Sequence, residues 1–232
     1  MANQSLNQSD HMDKLQSFIE NDSRNLPDWV NQGRESAFKN YKDICNKQLK
    51  TATWKNTKLN SMLDNFFEKE FTDQETSLNQ FELDSTLEDS LRIFFHSGAF
   101  FTEEEMPSYI RFLKGNYSEE NQAIFRLENS SERQSIPYLL NNIISRDALL
   151  IETAENQHVE KLIHIVHLPH KNANIAPRLN IVLAKNSSIK IIDEQLSSGD
   201  SIINNYIDIK CEEHSSLDYY KVSHAQNDSH QI

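Results

Sequence analysis

From Ala148 onward the chain repeats itself, and that periodicity limits the possible folds more than any other feature. Setting Asn156 on Asn186 superposes Ile151 on Ile181, Thr153 on Leu183, Val159 on Ile189 and Leu162 on Ile192, at an offset of 30 residues. Setting Ser187 and Ser188 on Ser215 and Ser216 superposes Ile181 on Ile209, Leu183 on Cys211, Ile189 on Leu217, and Ile191 and Ile192 on Tyr219 and Tyr220, at an offset of 28. A fixed period of this size marks a stacked architecture, in which one repeat buries its apolar face only when a neighbour covers it.

Each repeat reads as a short β-rich strand, a polar turn around Asn156, Asn186 or His214, a second β-rich strand and a longer polar return such as Leu196 to Asp200. That plan predicts a parallel β-helix with three coils. Both ends of such a stack need a cap. The preceding helices are the expected cover at the first coil. No polar capping helix precedes Ile232, so the expectation is a truncated β-helix.

Upstream, the spacing of apolar residues predicts helices. Met12, Leu15, Phe18 and Ile19 predict one over about 10–23, with Ser9 or Asp10 as its N-cap. Pro27 opens a second, reaching about Leu49 and burying Trp29, Ala37, Tyr41 and Ile44 or Cys45. Leu59, Met62, Leu63, Phe66 and Phe67 define a third, one-sided helix, and Tyr138 to Ile144 define a fourth. Arg92 to Phe95 and Ala99 to Phe101 read as two short strands around Gly98, which supplies a positive φ. Residues 102–135 read as loops. The boundary between a mainly helical unit, 1–146, and the stack, 147–232, falls at Asp147.

Composition excludes several function classes. Asp and Glu outnumber Lys and Arg by 35 to 23, a net charge of -12, which opposes binding to phosphate backbones. The four glycines are isolated, so no phosphate-cradling loop is present and the chain should not bind ATP by itself. Two cysteines, Cys45 and Cys211, give no disulfide framework or zinc finger and fit a reducing cytoplasm. No apolar run approaches the roughly 18 residues that a membrane span needs, and the start of the chain lacks the pattern of a secretory signal.

The chemistry-bearing residues read as structural. On a strand, His164 and His170 would share a face about 20 Å apart with His167 on the other, which opposes a shared metal ion. Cys211 stands in register with Leu183 and Cys45 on the apolar side of a helix, so both are expected in the core. Asp193 with Glu194, and Glu212 with Glu213, point to opposite faces of a strand, whereas paired catalytic carboxylates converge on one bond. The expectation is no catalytic, cofactor-binding or metal-ligating residue.

Several segments resemble the SufB and SufD family of iron–sulfur cluster assembly proteins. Pro177, Arg178 and the strand to Leu183, then Asn186 to Glu194, are similar to the family's Pro-Arg, strand, turn, strand and acidic-residue block. Leu140 to Ile151 and Asn156 to Leu168 resemble the segment where the family's β-helix begins. Trp54, Lys55, Asn56 and Thr57 resemble a Trp-Lys/Arg-aromatic-Thr motif of the SufD branch, and Phe94 to Gly98 its following strand and glycine turn. Asn56 departs from the expected aromatic, Ala148 from a Gly, and Ala154 and Leu162 from prolines. The likeness covers most of 25–232 and corresponds to the N-terminal half of a SufD-type protein.

The resemblance implies an α+β fold: an N-terminal helical domain followed by a right-handed parallel β-helix. It implies a cytoplasmic, non-catalytic scaffold subunit that pairs with a SufB-like protein and a SufC-like ABC ATPase, with neither nucleic acid nor membrane as partner. No cofactor belongs to this segment, and an iron–sulfur cluster is present only transiently on the whole complex. The family's cluster-handling and SufC-docking residues lie beyond this sequence. The competing readings are SufB itself and a β-helix enzyme or binding protein for saccharides, since unrelated functions share that fold.

Overall fold

A computed structural model describes residues 8–22, 26–48, 59–69, 71, 87, 89–96, 98–114, 135–168, 173–196, 201–224 and 230–231. The motif at 54–57, His170, and the polar stretches at 129–132 and 197–200 lie outside the described residues, as does the side chain of Cys45.

The chain is mixed α+β. Helices α1 (Gln8–Asp22), α2 (Asp28–Gln48) and α3 (Leu59–Glu68) come first. Strands β1 (Leu91–His96), β2 (Ala99–Phe101) and β3 (Ile110–Phe112) follow, then helix α4 (Ile136–Ile144). The remainder is strand: β4 (Leu149–Glu152), β5 (Ile163–His167), β6 (Asn174–Ile175), β7 (Arg178–Leu183), β8 (Ser188–Leu196), β9 (Ile202–Ile203), β10 (Tyr206–Cys211), β11 (Ser216–His224) and β12 (His230–Gln231). Helix α1 begins at Gln8, so Asp10 lies inside its first turn, where its charge favours the helix N-terminus, and is not the cap.

The strands form three sheets, ordered β11-β8-β5-β1-β2, β10-β7-β4-β3 and β12-β9-β6. Every pairing among β4 to β12 is parallel. The 28-residue offset is the observed register: Ile209 pairs with Ile181, Cys211 with Leu183, and Leu217 with Ile189. The 30-residue offset holds from Ile151, paired with Ile181, to the bridge between His158 and Ser188. It fails at Leu162: Ile163 pairs with Ile191 and His164 with Ile192, so the register returns to 28. Two extra residues are absorbed between Val159 and Ile163, where Lys161 turns out to Glu104 at 2.6 Å.

Two expectations are corrected by β1 and β3. Residues 102–135 were expected as loop, yet β3 pairs antiparallel with β4, Ile110 opposite Ile151. The outer edge of β5, expected to be covered by helices, is covered by strands: β1 runs parallel to β5, and its antiparallel partner β2 closes that edge. The sheets therefore cross the boundary expected at Asp147. Gly98 makes the turn at φ 78. Phe95, Phe100 and Ile110 share a buried core with Ile151 and Ile181 of one sheet and Ile163 and Ile191 of the other. A three-residue strand such as β3 carries little local signal, and only its pairing with distant β4 fixes it.

The helices flank the stack. Leu15, Phe66, Phe67, Leu139 and Ile143 share a core with Ala176 and Ile202 at the corner before β7 and β10. Helix α4 starts at Ser135, whose hydroxyl caps Tyr138 N, with Pro137 in the first turn. Its Asn141 donates to the carbonyls of Pro177 and Asn204, and Asn204 returns a bond to Pro137 O at 2.7 Å. Arg178, buried, donates to Asn142 Oδ1 and lies over the Tyr206 ring. Arg34 of α2, also buried, reaches Asp22 at 2.7 Å and Ser145 O at 2.6 Å, tying the first two helices to the end of the fourth.

The polar corner between the two larger sheets is a ladder. Asn156, Asn186 and His214 stack with φ of 59, 54 and 58. Asn156 N donates to Lys185 O and Asn186 N to Glu213 O, while Asn186 Nδ2 donates to Asn156 Oδ1 at 3.1 Å. Asn tolerates left-handed backbone better than His because its short amide bonds locally. His214→Asn should therefore stabilise the protein by about 0.5 kcal/mol, read as a raised midpoint of urea unfolding.

Candidate functional site

Strand β8 carries the densest polar chemistry among the described residues. Its side chains alternate, so Ile189, Ile191, Asp193 and Gln195 face the interior and Glu194 faces out. The neighbouring strands lock the two adjacent carboxylates in place: Asp193 pairs with Ile165 and Lys221, and Glu194 with Val166 and Val222.

On the inner side, His167 Nε2 of β5 lies 2.6 Å from Asp193 Oδ1, and Tyr219 Oη of β11 donates to Asp193 Oδ2. His167 and Asp193 are buried. On the outer side, His164 Nε2 of β5 lies 2.7 Å from Glu194 Oε2, and His224 Nε2 of β11 lies 2.8 Å from Glu194 Oε1. Each carboxylate thus bridges one residue of β5 and one of β11. The two bridges sit back to back across one sheet.

Burial pushes the Asp193 carboxyl up, but the bonds from the His167 imidazole and the Tyr219 hydroxyl, with the Lys221 charge, bring it below its ordinary value. Burial and the Asp193 carboxylate push the Tyr219 hydroxyl up, so it stays protonated and donates. The inner bridge is an ionised carboxylate held by two donors. His164 is fully buried and His224 is 56 % exposed, so the outer bridge runs from solvent to beneath the surface.

The placement of His164 and His167 on opposite faces follows the strand alternation read from the sequence. So does the divergence of Asp193 and Glu194. Tyr219 and His224 were not singled out, because Tyr219 occupies the Ile191 column and reads as apolar there. A phenol one coil beyond a buried Asp was the signal. Glu212 and Glu213 face Lys210 and Lys185 at 3.8 and 3.7 Å in exposed surface pairs. Cys211, expected in the core, is exposed. It lies on β10, whose inner row is covered by no further described strand, and Ile209 beside it is 44 % exposed for the same reason.

A second buried carboxyl belongs to Asp147. It accepts from Phe100 N at 2.8 Å, Lys114 N at 2.7 Å and Ala148 N at 2.8 Å, fastening β2, the end of β3 and the start of β4. Burial pushes this carboxyl up to about 6, against the pull of the three N–H groups.

Among the described residues no group of three or more His, Cys, Asp or Glu is placed to hold a metal ion, and no helix is long and apolar enough to cross a membrane. Glu194→Gln should lower stability by about 1 kcal/mol, because the amide accepts from only one of its two imidazoles and the exposed His224 is partly screened. The midpoint of urea unfolding measures it. No protein-family model, curated protein or solved structure matches the chain.

Proposed function

We propose that this chain is a non-catalytic scaffold subunit of the SufB and SufD type, on the SufD branch, and that its strands form successive coils of a right-handed parallel β-helix. One observation carries the reading. The segment that resembles the family's Pro-Arg block, Pro177 to Glu194, forms β7, the Asn186 corner and β8, each parallel to a strand of the coil before and the coil after.

The chemistry of β8 supports a scaffold over an enzyme. Its carboxylates and imidazoles bond strand to strand, and adjacent acids sit on opposite faces. A glycosidase needs two carboxyl groups about 5–10 Å apart on one cleft. In this proposal the subunit pairs with a SufB-like protein through the stacked strands and works with a SufC-like ABC ATPase. The iron–sulfur cluster is the cargo of the whole assembly.

The test is affinity purification of the tagged native protein from its own host, with intact mass and partner identification. Recovery with an ABC ATPase and a SufB-like protein supports the proposal. Recovery with the ATPase and a SufD-like protein makes the chain the SufB-type subunit. A protein recovered alone that retains on polysaccharide resin overturns the scaffold reading.

A further inference from the structure

One column of the stack holds His158, Ser188 and Ser216. His158 bridges Ser188 in parallel, and Ser188 is the partner of Ser216 where β8 and β11 begin. The two serines occupy equivalent backbone positions: Ser188 N donates to Gln157 O at 3.0 Å, and Ser216 N to Ser187 O at 2.9 Å. Only Ser188 has a base beside it.

His158 Nδ1 lies 2.9 Å from Ser188 Oγ, and the contact is exposed. The backbone holds both residues in place. Val159 N donates to Ser188 O at 2.8 Å, and the Asn156 and Asn186 turns that precede the pair are joined through their side chains at 3.1 Å. Imidazole and hydroxyl are thus in register before any reactant arrives, the condition under which proximity lowers a barrier. With the ring proton on Nε2, Nδ1 accepts from the Ser188 hydroxyl. A serine hydroxyl alone is a weak nucleophile, and an imidazole within hydrogen-bond reach activates it. The competing account is a contact that only ties one corner to the next. Ser216 stacks at the same position with the same backbone bond and no imidazole, so the stacking does not require one.

We propose that Ser188 is an acyl-acceptor site, modified by a small thioester with His158 as its base. The hydroxyl proton passes to His158 Nδ1 as Oγ bonds to the acyl carbon. The carbon–sulfur bond breaks, and the departing thiolate takes that proton from Nδ1. The products are an O-acyl serine and a thiol. A base acting on an open strand surface suits a donor that is already activated, which selects thioesters over amides and simple esters. The modification is independent of the scaffold reading and adds a surface chemistry to it.

The test incubates the intact protein with the acetyl thioester of N-acetylcysteamine at neutral pH and reads acetyl site by site by peptide mass spectrometry. Ser188 should be acetylated about 100-fold faster than Ser216, the low end of what a positioned base supplies. His158→Gln should bring the Ser188 rate down to that of Ser216 and leave Ser216 unchanged. Comparing the two serines within the unaltered protein needs no variant, so it decides the matter even if the substitution disturbs folding. Equal rates at Ser188 and Ser216, no acetyl at Ser188, or a Ser188 rate indifferent to His158→Gln in the folded variant overturns the proposal and leaves the contact as a tie between corners.

Discussion

Asp147→Ala should destabilise the protein by about 2–4 kcal/mol, because it strips the acceptor from two buried amides and one half-exposed amide at once and each buried orphaned N–H costs about 1–3 kcal/mol. The three amides belong to Phe100, Lys114 and Ala148, so the loss falls on the junction where the hairpin, β3 and β4 meet. Asp147→Asn keeps an acceptor for Lys114 and Ala148 but turns an NH₂ towards Phe100 N–H, and should cost less than alanine while remaining clearly measurable. Urea unfolding monitored by circular dichroism gives the difference.

The pH dependence of that difference identifies the carboxyl. Its folded value is raised to about 6 from an ordinary 3.8, so the folded state holds the proton more tightly than the unfolded chain. The resulting stabilisation is fully present below 3.8 and is lost as pH rises through about 6. The gap between the natural protein and Asp147→Ala should therefore be wider at pH 4 than at pH 7, by about 2 kcal/mol. A gap that is constant or narrows on acidification would mean that the three amides, and not burial, set the charge state of Asp147.

Asp193→Ala should cost about 2–4 kcal/mol as well, since it leaves the buried His167 imidazole and the half-buried Tyr219 hydroxyl without their shared acceptor. Here the pH sign is opposite. The folded carboxyl lies below its ordinary value, so its contribution is present above about 3.8 and disappears as pH falls through the folded value. The defect should also be local. Amide exchange of β11 should accelerate more than that of β5, because β11 is a largely exposed edge strand paired on one side only, whereas β5 is paired on both. Equal acceleration in both strands would place the bridge's effect on the whole stack.

Much of this architecture was legible in the sequence because a parallel stack writes itself into the chain as a period. The 28-residue register of β7 and β8 on β10 and β11 was readable residue by residue. So was the opposition of His164 to His167. The slip at Leu162 was not, because Leu162 matches Ile192 in type and apolar periodicity has no means of registering two inserted polar positions. The parallel pairing of β1 with β5 was equally hidden: Leu91 and Ile163 are 72 residues apart, and nothing local to either specifies the other. The site was half visible. Its acids and two of its histidines stand out as a pattern, but Tyr219 joins them only through the third dimension, from a column otherwise aliphatic. Asp147 looked like punctuation between domains and is a fastening among three strands.

The antiparallel strands β2 and β3 each occupy the outer edge of a sheet whose other pairings are parallel. Because β2 closes on β1 through a three-residue-long ladder across a glycine turn, that hairpin forms on a microsecond scale, long before a strand 72 residues downstream is in place. It waits with one edge unpaired and one already occupied. Closing the 72-residue separation to β5 is the entropically costly step, whereas each later strand pairs with the strand one repeat before it. The topology thereby gives assembly a seed and a direction: strands add from β4 and β5 towards β10 and β11, and a lesion at the hairpin should delay the pairing of every strand after it.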